Sequence, residues 1–323
     1  MTDIITGAIG LGLVWAIVAI GVWITYRILD FPDLTVEGTI VTGAAVTAML
    51  ITHWHGIHWV LFNSSIVISV KPGSAVFSLI CILASTAAGA LCGFITAFLH
   101  TRLRIPALLA GILSNIGLYS INIRIMGLTS NISLIGSRTL IDQVATFTND
   151  RNFAAILVAG VGVIISIAVC TWFLRTSYGC SIRATGSNPD MARAQGINIK
   201  LSKTAGLMLS NALVGLGGSL LCQYQGYSDV QMGIGAIVIG LASLIIGEVL
   251  FGRSSTLRSL ISVSLGAILY RVIIALVIQA GMQATDLKLF TAITVAIALF
   301  VPTAIIMVKQ LRGRWKRRHD ASL

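Results

Sequence analysis

The sequence is short of charge. Asp, Glu, Lys and Arg make up 10% of its 323 residues, against about 25% in ordinary soluble domains. Acidic side chains are scarcest, with 11 against 22 Lys and Arg. A water-soluble fold must cover its surface with polar groups, and too few are present, so the composition argues against a soluble enzyme. The same figures exclude disorder. Cysteine is sparse. Cys81, Cys92, Cys170, Cys180 and Cys222 form no CxxC pair, and four lie inside apolar runs, so they read as small buried residues. No GxxxxGK[ST] phosphate loop occurs, and no nucleophile–base or metal motif is convincing. The nearest to a metal motif is His53-Trp54-His55-Gly56-Ile57-His58-Trp59. Tryptophan beside histidine at the end of an apolar run also suits an interfacial anchor.

What is present is apolar. Hydrophobic residues make up 56% of the chain and the mean hydropathy is +0.93. A spanning helix needs about 20 apolar residues. Nine runs qualify, near 5–27, 36–52, 74–100, 106–126, 153–174, 203–224, 233–251, 256–280 and 287–308. The expected fold is an all-α polytopic membrane bundle forming one domain over 1–323. The second run is short and the seventh is glycine-rich, so either could be broken or re-entrant. The first run lacks a basic leader and a small-x-small cleavage site, and is expected to stay as a span.

The net charge of +11 could suggest nucleic acid, but its placement points to a membrane. With the N-terminus outside and the C-terminus inside, sixteen of the 22 basic residues fall in inner segments, six of them in the tail from Lys309 to Arg318. That is the positive-inside bias, and the tail could also meet anionic lipid head groups. An outer loop near 127–152 carries Asn131, Arg138, Asp142, Asn149 and Asp150, and an inner loop near 175–203 is the longest cytoplasmic connection. Thr39–Ala45 (TIVTGAA) echoes Ala236–Ala242 (AIVIGLA), with Asp33 and Asp229 preceding the copies at nearly equal distance. The two copies run in opposite directions in this topology, as inverted repeats do, which gives halves near 28–126 and 224–308.

The inner loop holds the most specific local signal. Asn188 suits an N-cap, Pro189 the first helical position, and Asp190 the positive helix end. Met191, Ala192, Arg193, Ala194 and Gln195 are helix formers, and Gly196 suits the stop. A helix of about two turns is too short to persist alone, so it must dock, either on its own bundle or in a partner's groove. Within the spans, Asn115, Tyr119 and Asn122 share one helix face, which must turn to protein or to a water-filled path. Thr39, Thr42, Gly43 and Thr47 form a small polar face on the second span, and Gly240, Ser243 and Gly247 form one on the seventh. Such faces suit close helix packing or a path lining. Glu248 and Arg271 are the ionisable residues read as clearly intramembrane, with Glu248 either solvated at its helix end or bridged to Arg253 or Arg258.

The loop from Gly186 through Asn188 to Gly196 resembles the cytoplasmic coupling loop of permease subunits in ATP-binding-cassette importers, in the superfamily of branched-chain amino acid and ribose permeases. Phe31-Pro32-Asp33-Leu34-Thr35-Val36-Glu37-Gly38 is similar to that family's opening motif. Leu108–Leu113 (LLAGIL), Leu118–Gly127 (LYSINIRIMG), Gln223-Tyr224-Gln225-Gly226 with Asp229, Gly233–Ser243 (GIGAIVIGLAS) and Asp286-Leu287-Lys288-Leu289 look like its amino-acid-type branch. The resemblance covers nearly the whole chain in order. It implies a permease half that pairs with itself or a close partner. A cytosolic ATPase pair would carry ATP and Mg, and an extracellular or periplasmic binding protein would deliver a small solute, expected to be an amino acid, aromatic kinds included. No cofactor is expected in this chain. An ion-coupled secondary transporter or channel is the alternative, with Glu248 as its candidate acid. Nothing in the residues supports a membrane enzyme.

Overall fold

The computed structural model describes residues 2–53 and 73–281, with scattered positions between 289 and 300. Eleven α-helices, one π-helical turn and one two-stranded sheet are seen among them. The long helices are α1 (Thr2–Trp23), α2 (Thr35–His53), α3 (Ala75–Thr101), α4 (Ala107–Ile125), α6 (Arg151–Arg175), α9 (Ile199–Gln225) and α11 (Thr256–Gln279). These seven are long and apolar enough to cross a membrane. The seventh expected span is the shorter α10 (Ala236–Phe251), with 16 residues, and most of the ninth, 287–308, lies outside the described residues. The chain is a polytopic helical bundle.

The helices differ in burial for a reason visible in their composition. In α1, Val14 to Ile24 is almost wholly apolar and nearly every side chain is buried. A helix that is apolar all round belongs in a core. A π-helical turn (Ile24–Ile28) ends it, with the Leu29 N–H donating to the Ile24 carbonyl. Buried α9 lies beside it, and buried α2 packs on α9 in turn. In contrast α3, α4 and α6 keep long apolar stripes exposed, among them Leu83, Leu91, Leu113, Ile116, Ile164 and Trp172, as lipid-facing or partner-facing helices do.

Small residues set the spacing of α2, α3 and α9. A Cβ on Gly43 would overlap the Gly215 carbonyl, one on Gly89 the Asn211 carbonyl, and one on Gly218 the Ile40 carbonyl. With backbones this close, short hydroxyl side chains reach across. Thr47 Oγ1 donates to Ser219 Oγ (2.7 Å) and also meets Ser85 Oγ at 2.7 Å. Van der Waals contact and interhelical hydrogen bonds are the forces left once lipid removes the hydrophobic drive between helices.

The bundle has two recognisable ends. At one, Arg27 lies 3.3 Å from Glu248, Lys203 Nζ meets His100 Nε2 at 3.0 Å, and α7 (Ser177–Ser187) and α8 (Pro189–Ala194) gather. At the other, β1 (Asn131–Ser133) pairs antiparallel with β2 (Tyr227–Asp229), Asn131 opposite Asp229. Helix α5 (Leu140–Thr148) packs there, its Leu140 N–H donating to Gln223 Oε1 (3.0 Å). Among the described residues, the segments assigned to the inner side by charge thus meet at one end. Cys81, Cys92, Cys170 and Cys222 are buried as expected, whereas Cys180 is exposed on α7.

Candidate functional site

The 175–203 loop is more structured than its sequence indicates. Thr176 caps α7, accepting from the Gly179 N–H through its hydroxyl (3.3 Å). Gly179, Ile182 and Thr185 turn inward, and Gly186 presses against the Ile28 carbonyl so closely that a Cβ would overlap it. Asn188 then serves both helices. Its N–H closes α7 on the Ala184 carbonyl (3.0 Å), and its Oδ1 accepts from Met191 N–H (3.0 Å) to open α8. Pro189 occupies the first turn, and Gly196 stops the helix at φ +80°, a region that side-chain-bearing residues avoid. Ala192 is buried against the chain's own bundle, while Met191 is 62% exposed and Ala194 and Gln195 are also outside. Substitution at Ala192 therefore disturbs the seat of α8 itself, and the free face belongs to Met191, Ala194 and Gln195. Asp190 and Arg193 pair at 3.7 Å in the open, where such a pair contributes little.

A polar ladder runs along α2. Thr39 Oγ1 donates to Asn211 Oδ1 (2.7 Å), and Asn211 Nδ2 donates to Asp33 Oδ2 (2.8 Å). Asp33 Oδ1 accepts from the Thr35 N–H (2.9 Å), so this buried carboxylate caps α2. Thr42 Oγ1 donates to Asn122 Oδ1 (2.8 Å), while Asn122 Nδ2 donates to the Gly38 carbonyl (3.1 Å). Thr39, Thr42 and Gly43 thus sit inside helix contacts. So do Gly240, against Val22, and Ser243, whose hydroxyl donates to Ile239 while its own carbonyl is covered by Gly266.

The three polar residues of α4 have a different setting. Asn115, Tyr119 and Asn122 line a cavity of about 440 Å³ between α2, α4 and the β2–α10 connection. Glu37 and Gln231 line it too, with Val41 and Val230 as apolar wall. Glu37 Oε1 accepts from the Gly235 N–H (2.9 Å). Gly235 takes φ +81° and offers α10 no side-chain cap, so a carboxylate from another helix fills the positive end of α10. Among the described residues no donor meets the second Glu37 oxygen, and no cation pairs with it.

One expectation changes: Glu248 is not the sole candidate acid, since Asp33 is buried and Glu37 half-buried. Both lie in a quoted motif, but their depth depends on contacts with α9 and α10 that no local pattern carries. Glu248 is bridged to Arg253 (3.8 Å) as anticipated, and also to Arg27 (3.3 Å), although its Oε1 accepts no well-aligned hydrogen bond. It lies thirteen positions along the chain from Gly235, about 20 Å at the rise of an α-helix, so it stands well away from the cavity. Arg271 pairs with neither acid and lies over the Trp15 ring at 4.6 Å. The His53–Trp59 motif lies outside the described residues from Trp54 onward, and no metal-ligand cluster occurs among the described residues.

Known proteins are similar to this chain in sequence over most of its length. The family model described as the branched-chain amino acid transport system / permease component matches residues 4–308. A tyrosine transport system permease protein of Clostridioides difficile (strain R20291) is 36% identical over 302 residues, covering 94% of this chain and 92% of its own. An uncharacterized protein of Rickettsia prowazekii (strain Madrid E) is 31% identical over 92% of this chain and 97% of its own. The fructose import permease protein FrcC of Rhizobium meliloti is 25% identical over 68% of this chain and 63% of its own. No solved structure matches. By the extent of the family match and by these relatives, the chain belongs to the permease-component family of branched-chain amino acid transport systems.

Proposed function

We propose that this chain is the permease subunit of an ATP-driven importer in a bacterial inner membrane, with its N-terminus outside and its C-terminus inside. The observation that carries this reading is α8: a helix too short to stand alone, fixed at both ends, and presenting Met191 to the outside. A cytosolic ATPase, holding ATP and Mg, receives this face. The opposite end, with β1–β2 and α5, receives a substrate-binding protein. The solute is an amino acid, a reading supported by the tyrosine transport relative. Transport proceeds by alternating access, the halves 28–126 and 224–308 moving about the contact between Glu37 and the start of α10. Reconstitution tests this. In proteoliposomes holding the chain, its ATPase and its binding protein, amino acid uptake is expected only with ATP inside. ATP-independent, proton-driven uptake by the chain alone would favour the ion-coupled transporter, a reading supported by the carboxylates of Asp33 and Glu37, which lack cation partners among the described residues.

A second copy of the chain closes the cavity. Ile116, Tyr119 and Ile234 stand exposed at its mouth, and apolar side chains flanking a polar cavity suit a subunit contact. In a Cys180→Ser background, Ile234→Cys is expected to give a covalent dimer on mild oxidation in membranes, whereas Phe153→Cys on α6 is not. Monomer alone from Ile234→Cys would place the subunit contact elsewhere.

A further inference from the structure

We propose that Glu37 is the binding point for the ammonium group of the transported solute, a reading that rests on the transport function above and names the chemistry its substrate must carry. Four features of the cavity converge on it.

The first is charge. Glu37 lies in the first turn of α2 and lines the cavity. One oxygen is committed to the Gly235 N–H, and the other has no donor among the described residues. A carboxylate held inside a membrane bundle is costly unless a cation compensates it, and a solute ammonium supplies that charge. The second is position. Gly235 marks the level of Glu37 and lies about 20 Å along α10 from the Arg27–Glu248 pair, well into a hydrocarbon layer of about 30 Å. The third is the start of α10 within the bundle. It follows the turns after β2, and a helix end at such depth is where transporters place binding groups. Here the helix end is already occupied by Glu37, so the site faces the solute as an anion rather than as a bare positive dipole. The fourth is the rest of the lining. Asn115, Asn122 and Gln231 offer amides, and Tyr119 a phenol, beside the apolar Val41 and Ile116. That set suits a small solute with a charged head and an apolar or aromatic body, and the volume falls in the range of small-molecule sites.

The geometry also explains why Gly38 and Gly233 flank this acid. A Cβ on Gly38 would come within 2.8 Å of Asn115 Oδ1, and one on Gly233 would overlap the Glu37 carbonyl. Both glycines let α4 and the β2–α10 connection approach Glu37.

The test uses the full chain purified with its ATPase, without the binding protein, so that only the permease site is read. L-Phenylalanine and 3-phenylpropionate differ by the ammonium group alone. Thermal unfolding of the complex is followed as each is titrated. L-Phenylalanine is expected to stabilise the wild-type complex and 3-phenylpropionate is not. Glu37→Gln keeps an acceptor for the Gly235 N–H but loses the charge, and is expected to need at least about tenfold more L-phenylalanine for the same effect. Glu37→Ala also loses the cap and reports the structural contribution. An unchanged response in Glu37→Gln, equal stabilisation by both compounds, or no response to either would overturn the proposal. Failure of the importer reading shows separately, as absence of the ATPase from the purified material.

Discussion

Met191→Asp is expected to reduce recovery of the ATPase with this chain by about thirtyfold or more, the loss typical of a central interface residue, while the bundle stays folded. The side chain is 62% exposed, so an aspartate there is solvated and disturbs no packing within the chain. In a partner's apolar groove the same aspartate is desolvated without a counter-charge. The helix itself survives, because its caps lie at Asn188 and Gly196 and not at Met191. The measurement is co-purification from membranes in mild detergent, with size-exclusion profiles checking the fold. Ala192→Asp is the informative contrast. Ala192 is buried against its own bundle, so that variant is expected to lower the stability of the chain as well as ATPase recovery. Wild-type recovery of ATPase with Met191→Asp would remove α8 from the coupling contact.

The second large effect is expected in the core. Gly43→Ala places a methyl group where the Gly215 carbonyl oxygen already sits. Both partners are backbone, so neither can swing aside, and α2 and α9 must separate. The separation lengthens the hydrogen bonds that cross the seam, Thr39 to Asn211 and Thr47 to Ser219. Overpacking costs roughly 1–3 kcal/mol, and this site belongs at the upper end because the crossing bonds weaken with it. The unfolding midpoint in detergent should fall by several degrees. Gly117→Ala on α4 is the control. Nothing lies within 4 Å of its added methyl, and alanine is the better helix former by about 1 kcal/mol, so the midpoint is expected to hold or rise. Equal midpoints for the two variants would mean that the α2–α9 contact is looser than described.

The sequence and the structure agree where information is local and part where it is not. Helix α8 was legible residue by residue, because Asn188, Pro189 and Gly196 act on their own neighbours. Helix α7, from Ser177 to Ser187, falls in a stretch whose sequence reads as loop. Its serines, threonines and glycines form helix poorly in isolation, and the helix is held by contacts to the bundle through Gly179, Ile182 and Thr185, with Gly186 seated on Ile28. The stripe of Asn115, Tyr119 and Asn122 was legible as one face, but not that this face, rather than the small faces of α2 and α10, lines the cavity.

What the sequence determined by itself is therefore the membrane class, the eight described apolar helices to within a few residues, the capped helix at one end, and the grouping of loops by charge. Each follows from composition or from spacing along the chain. What only the tertiary structure decided is which polar groups meet. Glu37 and Gly235 lie 198 residues apart, as Thr39 and Asn211 lie 172 apart. Their contacts exist because glycines let helix backbones approach to within reach of short side chains. That approach depends on matched positions on different helices, which no single stretch of sequence contains.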